Sequence, residues 1–543
     1  MLSFVDLIVL IGYLLGVVLF GCFFARKSSS TSTFMTAGGT LPAWAVGLSI
    51  FGTYLSSNTF LGVPGKAYGS NWNALVFSLS LPLAAWLATR FFVPFYRQSG
   101  EISAYQHLER RFGTWARTYA VVCYLLTQFA RTGTILFGVS LVMSALTGWN
   151  QSLIIVVAGA LITLYTVLGG IEAVIWTDVV QSLVLIAGAV VILILLLTGL
   201  PEGPTQVFAF GASHDKFSLG SFDLDLTSST FWVVLLYGLF INLSNFGIDQ
   251  SFVQRYHTAR DERQASRSVW LGAMLYMPIS LLFFFIGTSA FSFYHTHPDQ
   301  LENLRRQTAE ERLVQAKSPI SETTIGQKAA NLTDAELGDK VLPHFIVHAL
   351  PVGARGLLIA AILAAAMSSI DTSLNSSATV LLTDIYKRFI RPFAGERESM
   401  VVLYSATLLM GIAGTAAAVA MIGVQSVLDA WWLLSGIFAG GVLGLFLLGI
   451  MSRRTGNFAA VVGVVFGFIA ILSMSWPQLL EIAKLRGWQV VSQFAVPSLL
   501  TMRLHENMTI VVGTLTILFV GILVTRLGGT KNTVGLSFQE SKE

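Results

Sequence analysis

Charge is scarce in this sequence. Asp, Glu, Lys and Arg make up 11% of its 543 residues, against roughly 25% in an average soluble domain, while 54% are hydrophobic. So little charge excludes a large water-soluble core, and the chain is expected to be an integral membrane protein. Cysteine is scarcer still. Cys22 and Cys123 both lie in apolar runs, which leaves no basis for a disulfide framework or a cysteine-ligated metal. The net charge of +4 comes without a basic cluster or nucleic-acid motif, so a polyanionic partner is not expected. No nucleophile is paired with a base in the apolar regions, so neither is an enzyme.

A membrane helix needs about 20 mostly apolar residues. That length picks out segments near 4–25, 43–62, 72–96, 118–145, 150–168, 173–200, 229–250, 268–295, 354–380, 400–424, 427–450, 456–475 and 508–526, thirteen in all. The first follows Asp6, with no basic stretch before it and no small-residue cleavage site after it, and reads as a retained helix. Short cytoplasmic loops are enriched in Lys and Arg. Five basic groups fall on one side if the N-terminus is outside: Arg26 and Lys27; Arg97, Arg110, Arg111 and Arg117; Arg255, Arg260, Arg263 and Arg267; Lys387, Arg388, Arg391 and Arg397; Arg453 and Arg454. The expectation is a single transmembrane domain over 1–527, with a partly helical extracellular insertion at 296–353 and a short cytoplasmic tail at 528–543.

In hydrocarbon each polar group must find its partner inside the protein, so polar residues within spans mark where function concentrates. Four segments carry them. The second, WAVGLSIFGTYLSSNTFLGVPG, has Gly52 followed by Thr53, Tyr54, Ser56, Ser57, Asn58 and Thr59. The fourth holds Arg131 and the sixth Asp178, while the ninth, ILAAAMSSIDTSLNSS, surrounds Asp371 with hydroxyls. Ordinary roles compete: Ser and Thr bond back to helix carbonyls or join neighbouring helices, and Arg131 and Asp178 can snorkel or pair between helices. Arg131 lies some 13 residues into its helix, too deep for easy snorkelling.

Residues three and four apart share a helix face. Ser368, Asp371 and Thr372 therefore present oxygens to one side, with Ser369 beside them and the Ala365 carbonyl one turn below. Such a set suits a hard cation, whereas zinc would want His or Cys. A proton relay would need the carboxylate but not its ring of hydroxyls, which favours an alkali cation. A break around Gly52 to Ser57 would free carbonyls as further ligands.

These stretches, together with PGKAY, EISAYQHLERRFG, GGIEAVIWTDVVQ, DQSFVQRY and GARGLLIAAILAAAMSSIDTSLNSSATVLLTDIY, resemble the sodium:solute symporter family from about residue 4 to 526. LSSNTF, PGKAY and the arginine of the fourth helix are similar to its sialic acid branch. The resemblance implies an all-α LeuT-type core of two inverted five-helix repeats, about 43–200 and 229–450, with one helix before and two after. It implies a first sodium site of carbonyls from Gly52, Leu55 and Ala365 and hydroxyls from Ser368 and Ser369. It also implies a second cation site at Asp178, Ser368, Asp371 and Thr372. Asp371 stands where relatives carry a hydroxyl, so this site can take sodium or a proton.

For the solute the resemblance implies contacts from Tyr54, Ser56, Ser57, Thr59, Ser78 and Arg131. Arg131 offers a carboxylate two parallel hydrogen bonds. Tyr54 replaces a threonine of the sialic acid branch, and Ser78 a glutamine. The function implied is sodium-coupled import of a small organic solute across the plasma membrane (the bacterial inner membrane), an acidic sugar first and a neutral sugar or polyol second. A channel or a non-transporting sensor is a weaker alternative, since a sensor would carry an appended domain and only about 17 residues follow the last segment.

Overall fold

The computed structural model describes residues 2–315, 319–422, 440–485 and 504–527. Ten helices among the described residues are long and apolar enough to cross a membrane, and Ala43–Tyr54 and Gly440–Met451 are shorter apolar helices. The chain is a multi-pass membrane protein whose described part is helical apart from one isolated bridge, Leu41 to Ala259. The helices that build the site are α1 (Phe4–Phe23), α2 (Ala43–Tyr54), α3 (Ser57–Gly69), α4 (Thr114–Thr147), α5 (Gln151–Thr198) and α6 (Phe231–Ile248). They continue with α7 (Gln250–Thr258), α8 (Glu262–Thr296), α9 (Pro298–Gln315), α10 (Asp334–His348) and α11 (Ala354–Val380).

The expected segments 150–168 and 173–200 run together as α5, which bends at Gly170 with φ 58° and ψ −157°. A Cβ there would meet Ser28 Oγ at 2.6 Å, so only glycine allows both the backbone angle and the packing. Of the expected segment 427–450, the part before Gly440 lies outside the described residues, as does the tail 528–543.

Two helices are interrupted where the sequence supplies a cap. Leu55 is extended between α2 and α3, and the Ser56 hydroxyl accepts from Thr59 N–H at 3.3 Å to start the new helix. Asp249 plays the same part between α6 and α7, accepting from Ser251 N–H at 2.8 Å. The helix α11 runs through the middle. Its apolar window is 94% buried, where those of the other nine long spans range from 28% to 56%. Its N-terminus is capped from another helix: Asp6 Oδ1 of α1 accepts from Gly353 N–H at 2.8 Å and Gly356 N–H at 2.9 Å.

The five basic loops meet on one face. Thr31 N–H donates to Glu396, Arg388 pairs with Glu109 at 2.6 Å, Arg97 donates to the carbonyls of Ala259 and Arg260, and Arg111 to those of Gly449 and Ser452. Two expected members of that set are buried charges and not loop charges: Arg255 belongs to α7 and is 0% exposed, and Arg117 belongs to α4, is 6% exposed and pairs with Asp384 at 2.7 Å. The 296–353 stretch, read as partly helical, contains α9 and α10.

Candidate functional site

A helix end leaves its last carbonyls without intrahelical donors, and the end of α2 faces the middle of α11. Ser368 Oγ donates to Gly52 O at 3.2 Å and lies 3.2 Å from Ala365 O, and Ser369 Oγ reaches Ala365 O at 3.4 Å. Four of the five expected ligands of the first sodium site are thus gathered in mutual contact. The fifth, Leu55, lies buried at the break itself. A Cβ at Gly52 would stand 2.9 Å from Ser182 Oγ, so a side chain there would have to displace that hydroxyl. All five are neutral oxygens of the kind that replace the hydration shell of a hard cation.

The second expected set is arranged otherwise. Arg255 Nη2 lies 3.0 Å from Asp178 Oδ2 and donates to Thr372 Oγ1 at 2.7 Å. Its Nε donates to Ser49 Oγ at 2.8 Å, and Ser49 Oγ donates in turn to Asp178 Oδ2 at 2.5 Å. Asp371 turns away, accepting from Tyr165 OH at 2.6 Å and from Thr372 N–H at 2.6 Å. Asp178 and Thr372 therefore surround a guanidinium, Asp371 belongs to a tyrosine, and Ser368 bonds within the first site. Sequence reasoning missed Arg255. Its signal was present in DQSFVQRY, but a charge five residues beyond the end of the expected segment 229–250 reads as loop when the helix restart at Asp249 is not taken into account.

A cavity of about 2370 Å³ opens beside the break and extends to the insertion helices α9 and α10. Tyr54, Ser56, Thr59, Ser78 and Arg131 line it. Ser57 does not, and its hydroxyl is buried without a partner among the described residues. Arg131 donates to Thr53 O at 2.9 Å and makes no ion pair among the described residues. Ser78 is tied to Ser280 at 2.8 Å. The Tyr54 ring packs edge-on against Phe246 and Phe252 at 5.7 and 5.0 Å between centroids, forming an aromatic wall. The cavity also takes in Gln128, Asn245, Asp249, Phe252 and Tyr276, which the sequence alone did not single out because they meet only when α4, α6, α7 and α8 pack.

A model of the sodium:solute symporter family matches residues 34–467. The chain is 33% identical over 474 residues to the sodium/sialic acid symporter SiaT of Proteus mirabilis, covering 87% of this chain and 89% of that one. It is 31% identical to the sodium/sialic acid symporter NanT of Aliivibrio fischeri, over 86% of this chain and 87% of that one. Among solved structures it is similar to the substrate-bound outward-open state of a Na⁺-coupled sialic acid symporter, with a TM-score of 0.80, 31% identity and coverage of 97% and 98%. Likeness to Mhp1, a nucleobase-cation-symport-1 family transporter, concerns the fold alone, at a TM-score of 0.50 and 15% identity over 92% and 95% of the two chains. The matched region takes in the interrupted α2–α3 helix, Arg131 and all of α11, and the chain belongs to the sodium:solute symporter family: a transporter and not an enzyme, with sodium as its coupling ion.

Proposed function

We propose that this symporter imports an acidic sugar, sialic acid first, through the cavity beside the α2–α3 break. The observation that carries this is Arg131, a guanidinium facing the cavity with one carbonyl as its hydrogen-bond partner and two hydroxyl side chains, Ser56 and Thr59, on the same cavity wall. An unpaired guanidinium at this depth is costly, and a carboxylate on the solute relieves it with two parallel hydrogen bonds. The sialic acid relatives support the class of solute, while Tyr54 and Ser78 alter the rest of the pocket.

In this reading Gly52, Leu55, Ala365, Ser368 and Ser369 hold the first sodium ion. A second cation at Asp178, Ser368, Asp371 and Thr372 has to displace Arg255. Each sodium ion crossing about 100 mV contributes roughly 2.3 kcal/mol, so two ions supply about 4.6 kcal/mol, more than a thousandfold accumulation. The basic face is cytoplasmic, which puts the N-terminus and the 296–353 insertion outside and the C-terminus inside. The architecture is a single domain of thirteen helices, one before and two after a LeuT-type pair of inverted five-helix repeats.

Competition between a sugar acid and its amide or alcohol analogue tests the solute. Wild-type protein is expected to prefer the acid by about a hundredfold, about 2.7 kcal/mol, and Arg131→Gln to abolish the preference while keeping the fold. Equal competition in the wild type overturns the acidic solute in favour of a neutral sugar, whose hydroxyls the guanidinium can also serve.

A further inference from the structure

The outer part of the cavity holds a pair of groups that neither sodium binding nor solute recognition uses. His344 and His348 lie four residues apart on α10, on one face of the helix, and both line the cavity. Their rings stack with centroids 4.1 Å apart and planes 25° apart.

Hydrogen bonding ties one nitrogen of each ring. The Tyr294 hydroxyl lies 2.7 Å from His344 Nδ1 and 3.3 Å from Val341 O. His348 Nδ1–H donates to the His344 carbonyl at 3.0 Å. Each Nε2 is left over, and that of His344 is buried without a partner among the described residues, on a residue only 5% exposed. Metal-binding histidines are held in this way, with one ring nitrogen tied to a carbonyl or other oxygen and the other free to ligate. The nearest like charge on the same face, Lys340 one turn earlier, is neutralised by its ion pair with Glu311 of α9.

We propose that His344 and His348 form a divalent-cation site, zinc first, in the wall of the solute's entry path, and that an ion held there obstructs entry. Zinc takes imidazole nitrogens at about 2.0–2.1 Å, and the two rings would turn out of their stack to converge on one ion. Histidine pairs four apart on a helix are a recurring zinc grip. Water fills the other positions, so the site is open and reversible. Magnesium and calcium, which want oxygen ligands, do not compete.

The test is titration of the purified full-length protein with zinc chloride, a readout that needs no solute, followed by sodium-driven uptake with zinc on the insertion's face. One zinc ion per chain is expected, with affinity reduced roughly tenfold or more in His348→Ala and about tenfold in Tyr294→Phe, which releases the His344 ring. His348 is exposed, so its alanine variant keeps the fold whatever happens to variants of buried His344. Zinc should inhibit wild-type uptake and spare His348→Ala. Zinc affinity unchanged in His348→Ala would place the ion elsewhere and overturn the site. Uptake that continues at saturating zinc would overturn the obstruction.

Discussion

Around Ser368 the oxygens of α11 belong to hydroxyls and carbonyls that bond to one another, whereas around Thr372, one turn on, the same helix is bound to the guanidinium of Arg255. The first cluster can exchange weak mutual hydrogen bonds for an ion at small cost. The second already holds a cation, supplied by the protein and paired with Asp178 at 3.0 Å. A helix rich in oxygen is therefore not uniformly an ion site. Which turn accepts a mobile ion depends on whether a fixed charge from another helix has reached it first.

The largest way to break this contrast is to remove the fixed charge. Arg255→Met leaves Asp178 buried without a counter-charge and should lower stability by about 3–5 kcal/mol. Adding Asp178→Asn should recover much of the loss, as read by unfolding of the purified protein. A single variant as stable as wild type would mean the guanidinium is dispensable. Next in size is Ser368→Ala, which removes a hydroxyl from the first cluster. The sodium concentration for half-maximal uptake should rise about tenfold, about 1.4 kcal/mol, with little change in stability without sodium. Unchanged sodium dependence would remove Ser368 from the ion's shell.

The smallest effect is expected from Asp371→Ser, which puts a hydroxyl where the family resemblance implies one. Transport should persist with sodium affinity lowered about threefold, about 0.65 kcal/mol. Reversal potentials under separate sodium and proton gradients sharpen the result, since a variant that keeps its sodium dependence and loses its proton dependence would assign Asp371 to a proton.

The parts of the molecule set by local rules were legible in advance. Apolar length marked the ten long spans of the described residues, and the break expected around Gly52 to Ser57 lies at Leu55–Ser56. The hydroxyls of 368 and 369 pointed at the Ala365 carbonyl because helical spacing alone puts them there. What depended on distant partners was hidden. The bend at Gly170 needs Ser28 and Phe34 to explain it, and the burial of Arg255 needs Ser49, Asp178 and Thr372 from three other helices. The cavity wall formed by α9 and α10 was invisible for the same reason: a polar insertion does not announce which opening it borders.

The grip of Asp6 on the first amides of α11 has a mechanical consequence. Helix α1 stands outside the proposed repeats, yet its carboxylate is fastened to the helix that carries Ser368 and Ser369 of the proposed sodium site, and Gly356 packs so tightly that a Cβ there would meet Asp6 O at 2.5 Å. Any rocking of α11 during the transport cycle must carry the start of α1 with it or tear two hydrogen bonds. A distance probe on the outermost turn of the chain would therefore distinguish the two, moving with α11 if the hydrogen bonds hold and staying behind if they break.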